Sequence, residues 1–137
     1  FCLAKVLQGG FVQNNKAVDI QRELKLPGIT DKDEKAFNIG KKNEVKHFAL
    51  SFASSKMDLL HCRKVVGGEA NIISKIESRQ GLLNLKSIID HSDELLIDRG
   101  DLSRQVPIEK VPFFQRRIIS ICRLYGLLFY YLWLRSQ

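Results

Sequence analysis

The sequence is short of cysteine, proline and long apolar runs, and each shortage excludes something. Its three cysteines, Cys2, Cys62 and Cys122, lie 60 residues apart. An odd number at that spacing makes neither a disulfide framework nor a zinc-ligand pattern. A reducing, cytoplasmic setting is the expectation that follows. The longest apolar run, Leu127–Leu134, has eight residues. A bilayer-crossing helix needs about 20, so no membrane span is expected. No secretory leader is visible: the chain opens mid-pattern at Phe1-Cys2-Leu3, without Met, and lacks a basic-then-apolar start. It reads as a piece of something longer. His47, His61 and His91 have no ligand-like spacing and are expected to be structural or surface residues.

What is present is globular in character. The 137 residues suit one ordinary domain. Apolar residues make up 45% and charged ones 27%, a balance that can fill a core. Twenty-two Lys+Arg against fifteen Asp+Glu give +7, which keeps a polyanionic partner in play. Arg116, Arg117 and Arg123 could form one patch, and Lys41, Lys42 and Lys46 another. The arginines, however, fall on the polar face of an amphipathic segment, where charge is ordinarily just solvated. No aromatics interleave with the basic residues, as they do in single-strand binders. A nucleic-acid partner is therefore not expected, and a non-catalytic basic binding module is kept only as the alternative reading.

Along the chain, strand-like and helix-like segments alternate. Leu3–Leu7 and Phe11-Val12, broken by Gly9-Gly10, read as a short β ribbon ending at the Asn14-Asn15 turn. Pro27-Gly28 marks another turn. Thr30 with Asp33 three positions on has the spacing of a capping box, so a helix is predicted from about Asp31 to Lys41. Val45–Phe52, Ile72–Ile76 and Leu95–Ile97 are apolar runs of strand length. Between them lie one helical segment with Leu59, Cys62 and Val66 on a face, closed by Gly67-Gly68, and another with Leu82, Leu85 and Ile89. The last helix carries Val111, Phe114, Ile118, Ile121 and Tyr125, the clearest amphipathic stripe, and Gly126 closes it. Strand–helix repeats of this length predict βαβ units and a parallel sheet, in an α/β fold. Whether the sheet is doubly wound or part of a (β/α)₈ barrel stays open on the pattern alone.

Each apolar strand ends in polar residues: Ser51, then Lys75 and Glu77, then Asp98-Arg99-Gly100-Asp101. Ligand sites of parallel α/β folds form at the carboxyl ends of strands. Lys75 and Glu77 are two apart on extended chain, hence on one face. An ammonium and a carboxylate there could serve a bound metal and an anionic substrate together, or could simply be a strand-end ion pair. Gly100-Asp101 could let backbone N–H groups approach an anion, or could belong to an ordinary loop with Asp as an N-cap. On the residues alone the ordinary loop is the simpler reading. Arg99-Gly100-Asp101 also spells an adhesion tripeptide, but three residues carry little information.

Taken in order, these segments resemble pyruvate kinase. Ile73-Ser74-Lys75-Ile76-Glu77 is similar to that family's strand with a Lys-x-Glu pair. Asp98-Arg99-Gly100-Asp101-Leu102 is similar to its Ala-Arg-Gly-Asp-Leu-Gly loop. Leu24–Asp33 resembles its Leu-Pro-x-(Ile/Leu)-(Thr/Ser)-x-Lys-Asp segment, and Ala49-Leu50-Ser51-Phe52 its Ser-Phe strand end. Asn15-Lys16-Ala17-Val18 looks like the element where a small β domain returns to the barrel, and Pro107–Gly126 like the helix after the metal loop. The resemblance covers roughly residues 10 to 126. It implies a partial (β/α)₈ TIM barrel, about half of the strands, preceded by a short β segment. Residues 1–20 would end the inserted β domain, residues 21–126 would be consecutive βα units, and residues 127–137 an atypical apolar tail.

The activity that the resemblance implies is phosphoryl transfer from phosphoenolpyruvate to ADP, giving pyruvate and ATP in glycolysis. Mg²⁺ and K⁺ would be the cofactors, with the K⁺ ligands outside this chain, and the parent would be a homo-oligomer. Glu77 and Asp101 would hold Mg²⁺, a hard cation that prefers oxygen. Lys75 would be the catalytic cation, neutralising charge on the phosphoryl group. The N–H groups of Gly100 and Asp101 would bind the substrate carboxylate, and Lys16 would lie near the nucleotide phosphates. The chain alone would be incomplete and inactive.

Four positions depart from the family pattern: Asp98 for Ala, Ser103 for Gly, Glu94 for Gly and Gln105 for Glu. A second carboxylate at position 98 could disturb the charge balance or add a ligand. After Gly126 the family's Lys-Pro-Val-x-x-Ala-Thr strand is replaced by Leu127–Gln137. Trp133-Leu134-Arg135 can be coded so that a one-base shift restores Val-Ala-Thr, so a frameshifted tail is one expectation and a divergent buried strand the other. A pseudogene product is compatible with the first. Half a barrel would leave apolar strand edges unpaired.

Overall fold

A computed structural model of the chain describes residues 3, 5–11, 13–14 and 26–132. Its first helix, α1 (Asp31–Lys42), starts where the capping spacing puts it. The Thr30 hydroxyl accepts the Asp33 N–H at 3.3 Å, and the Asp33 carboxylate accepts the Thr30 N–H at 2.8 Å. This reciprocal pairing satisfies donors that the first turn leaves free. The same device opens α2 (Lys56–Val66), with Ser55 and Asp58 as the pair. Leu59, Cys62 and Val66 are buried on its inner face, as their spacing predicts. Gly67 ends α2 with φ +100° and ψ 168°, a backbone region essentially reserved for glycine.

Four strands form one parallel sheet: β1 (His47–Leu50), β2 (Asn71–Ile76), β3 (Glu94–Asp98) and β4 (Leu128–Leu132), adjacent in chain order. Phe48 pairs with Ile72, Lys75 with Leu96, and Leu96 with Tyr130. Alternation along each strand then sorts the side chains. Phe48, Leu50, Ile72, Ile76, Leu95 and Ile97 are buried, in one core with helix residues Leu59, Ile88, Ile89, Leu102 and Ile118. Burying each large aliphatic side chain contributes about 1.5–3 kcal/mol before entropy is counted. The alternate residues Ile73, Lys75 and Leu96 are only half-buried, and Ala49 is exposed. Phe37 of α1 meets Phe48 of β1 edge to face, with centroids 6.0 Å apart.

Several expectations are corrected. The helix predicted to carry Leu82, Leu85 and Ile89 is two short ones, α3 (Arg79–Leu83) and α4 (Leu85–Ile89). They break at Asn84, whose side-chain amide donates to the Ser54 carbonyl at 2.7 Å and whose backbone leaves the helical region. An asparagine that bonds outside its helix competes with the helix ladder. Beyond β3 come α5 (Arg99–Gln105), a 3₁₀ turn (Ile108–Lys110) and α6 (Val111–Tyr125). In α6 the stripe holds at Val111 and Ile118, gains Cys122, and fails at Tyr125, which is exposed in the last turn. Arg116, Arg117 and Arg123 are exposed, as a solvated polar face predicts.

The β ribbon expected over residues 3–12 does not form among the described residues there. Leu3, Val6, Leu7 and Phe11 are all largely exposed, so nothing buries the apolar side of a strand. At the other end, the start of the tail does form a strand. β4 pairs along β3, with Leu127 and Phe129 against the core and Leu128, Tyr130 and Tyr131 exposed. It is thus a half-buried strand, not a fully buried one.

Candidate active site

Lys75, Glu77, Asp98 and Asp101 come together because β2 and β3 are parallel neighbours that end level with each other. Lys75 pairs with Leu96, so two residues on, Glu77 stands beside Asp98. Glu77 is fully buried. Its Oε2 accepts the Phe52 N–H at 2.6 Å. Phe52 achieves this at φ +51°, a left-handed conformation that costs a non-glycine residue about 1–2 kcal/mol. Backbone strain of this kind concentrates at functional sites.

Glu77 Oε1 lies 2.5 Å from Lys75 Nζ but outside hydrogen-bonding angles, and has no other partner among the described residues. Lys75 Nζ also reaches Ser51 Oγ at 3.5 Å and Asp98 Oδ2 at 3.6 Å. Burial works against the ammonium. The close ion pair with Glu77, with the charge of Asp98 behind it, outweighs that and raises its pKa above the ordinary lysine value. The strand-end ion pair of the plainer reading is therefore present, embedded in a larger cluster.

For Asp98 the sequence leaves two roles open, a disturbed charge balance or an added ligand, and the structure shows a third, a helix cap. Asp98 is buried, ends β3 and caps α5. Its Oδ1 accepts the N–H groups of Gly100 at 3.2 Å and Asp101 at 3.4 Å. These are the two amides that the resemblance assigns to a substrate carboxylate, and here Asp98 engages them. The cap expected at Asp101 thus belongs to Asp98. The signal was available: an aspartate directly before a helical turn is a preferred N-cap. Asp101, on the first turn, pairs with Arg104 Nη1 at 3.3 Å.

Glu77, Asp98 and Asp101 each offer one carboxylate oxygen, and these oxygens lie within 4.8 Å of one another. An all-oxygen donor set fits a hard divalent cation such as Mg²⁺. The buried Glu77 Oε1, without a hydrogen bond, is the atom such a cation would satisfy.

The other departures sit elsewhere. Ser103 Oγ donates to the Gly100 carbonyl at 2.7 Å, within α5. Glu94 opens β3, at the opposite end of the strand, where Asn71 Nδ2 donates to it at 2.5 Å. The Glu94 carboxylate beside Tyr130 raises the Tyr130 pKa. Gln105 is exposed and lines a cleft of about 450 Å³ with Leu82, Phe114 and Ile118, which none of the four site residues lines. A cleft of about 590 Å³, lined by Ser51, Phe52, Gly28 and Ser78, adjoins the carboxylates through Ser51 and Phe52. Lys16 and its neighbours Asn15, Ala17 and Val18 lie outside the described residues. His47, His61 and His91 take structural partners: Asn71, Glu34 and the Ser87 carbonyl. No described helix is long and apolar enough to cross a membrane.

The chain is similar to known proteins over most of its length. The family model for the pyruvate kinase barrel domain matches residues 2–128. A pyruvate kinase of Clostridium perfringens is 36% identical over 129 residues, covering 90% of this chain and 27% of that protein. One from Methanocaldococcus jannaschii is 34% identical over 92% of this chain and 29% of its own length. Plastidial pyruvate kinase 2 of Arabidopsis thaliana is 35% identical over 89% of this chain and 22% of its own. The chain thus spans less than a third of the length of the relatives it matches. An α/β chain with parallel strands in sequence order, a Lys-x-Glu strand end and an Arg-Gly-Asp-Leu turn beside it, matched over nearly its whole length, belongs to the pyruvate kinase family.

Proposed function

We propose that this chain carries the metal- and phosphoryl-binding side of a pyruvate kinase active site. The whole protein would move the phosphoryl group of phosphoenolpyruvate to ADP, yielding pyruvate and ATP. The observation that carries this reading is the fully buried Glu77, held by the Phe52 N–H and facing Lys75, with Asp101 close enough to share a cation. In the reaction, the bond from phosphorus to the enol oxygen breaks as a bond to the ADP β-phosphate oxygen forms. The product enolate takes a proton at its terminal carbon. Bound Mg²⁺ would supply positive charge to the phosphoryl oxygens.

This chain's residues do the rest of the local work. Glu77 and Asp101 would hold the cation. Lys75 keeps its proton, because its raised pKa lies above the lysine norm, and so offers a fixed positive charge to the transferring group. Lys16 would lie by the nucleotide phosphates, while K⁺ would be held by residues outside this chain. The four strands would be about half of an eight-stranded barrel, and turnover would belong to the complete homo-oligomeric protein rather than to this piece. Buried, unbridged Cys62 and Cys122 accord with a reducing compartment such as the cytoplasm. The test is a Mg²⁺ titration of the chain followed by ¹⁵N NMR. The amides of Phe52, Glu77 and Asp101 are expected to shift together, and Glu77→Gln to remove the response. Shifts spread evenly over surface carboxylates would refute it.

A further inference from the structure

Asp98 is more than a helix cap. It is only 4% exposed, and its two oxygens do different things. Oδ1 takes the Gly100 and Asp101 amides. Oδ2 turns to the cluster, where its partner Lys75 is 3.6 Å away and stands closer, at 2.5 Å, to Glu77. A buried carboxylate oxygen is costly unless its lone pairs are used, and Oδ2, turned into the cluster, is placed to use them on a cation. Three carboxylates have oxygens within 4.8 Å of each other, with the Lys75 ammonium against two of them. Arg104 pairs with the third, Asp101. Asp98 therefore adds a third carboxylate to the cluster, one that the family's usual Ala would not supply.

We propose that Asp98 is a third ligand of the divalent cation, through Oδ2, alongside Glu77 and Asp101. The inference rests on the metal-site reading above and adds to it a residue that the family resemblance does not assign. The cap leaves Asp98 free to do this, since it uses the other oxygen. It also fixes the carboxylate in place, so little side-chain freedom is lost on binding. A carboxylate held within about 5 Å of a dication strengthens binding by more than about tenfold, even with the weak interaction expected near a protein surface.

The test is Mn²⁺ binding to the 137-residue chain, read by electron paramagnetic resonance of the free ion. Far-UV circular dichroism confirms folding of each variant. Asp98→Asn keeps an oxygen for the cap and removes the charge. Asp98→Ser, whose hydroxyl also caps, is the second variant should the first fail to fold. The expected result is Mn²⁺ binding weakened by about tenfold or more in either folded variant, with unchanged or raised thermal stability without metal, because carboxylate repulsion is relieved. If both variants bind Mn²⁺ as the parent chain does while Glu77→Gln abolishes binding, Asp98 is only a cap and the metal-site reading stands. If the parent chain binds no Mn²⁺, or Glu77→Gln leaves binding unchanged, the metal-site reading falls and this inference falls with it.

Discussion

Replacing Lys75 with methionine tests whether the strand-end cluster is held as its geometry says. Methionine keeps most of the side chain's length and apolar body and removes the charge. Glu77 and Asp98 are 1% and 6% exposed at the side chain, and Lys75 lies within 4 Å of both. Breaking a buried pair from one side typically costs about 3–5 kcal/mol. Lys75 is itself 19% exposed, so water can reach the site, and the lower figure of about 3 kcal/mol is expected. That is a large share of a domain stability of about 5–15 kcal/mol. The assay is urea unfolding followed by far-UV circular dichroism. Its pH dependence supplies a second readout. The Lys75 pKa is raised above 10.5 in the fold. Its stabilisation is therefore fully present below the unfolded-state value and is lost as pH climbs through the raised one. The parent chain should lose stability there, and Lys75→Met should lack that alkaline loss. Mg²⁺ should recover part of the variant's deficit by replacing the missing charge. A variant within about 0.5 kcal/mol of the parent near neutral pH, with the same alkaline profile, would refute the reasoning.

Gly67→Ala should cost about 1–3 kcal/mol in the same unfolding assay, entirely from backbone strain, since nothing lies within 4 Å of the added methyl group. Ser55→Ala should cost about 1 kcal/mol by removing half of the cap on α2, whereas Ser55→Asp should cost far less. Burial pushes the Cys62 thiol up to about 11 and raises that of Cys122, so neither should react with a disulfide reagent near neutral pH until urea unfolds the chain. Peptide mapping by mass spectrometry reads which cysteines are labelled.

The parts of this structure legible in the sequence are those decided locally. Thr30 with Asp33, the face Leu59-Cys62-Val66 and the strands around Ile72 and Leu95 needed only spacing and residue type, and all lie where that spacing puts them. Partners far along the chain decided the failures. Asn84 splits a helix because its amide meets the Ser54 carbonyl, 30 residues away. The Pro27-Gly28 turn was legible, but not why glycine stands there: a Cβ on Gly28 would sit 2.1 Å from the Asp58 carboxylate.

Asp98 divides between the two kinds of knowledge. Its cap on Gly100 and Asp101 is a local signal. Its approach to Lys75 and Glu77 depends on the register of β2 against β3, which no single stretch of sequence contains. Because side chains alternate across a strand, a slip of one residue in that register would turn Asp98 toward the helix layer and leave Glu77 facing an apolar neighbour. The buried packing of Ile72, Ile76, Leu95 and Ile97 between sheet and helices forbids that slip. The apolar face of the sheet therefore sets the site on its other face. A core substitution such as Ile97→Ala should disturb cation binding as well as stability, with no contact to the cation at all.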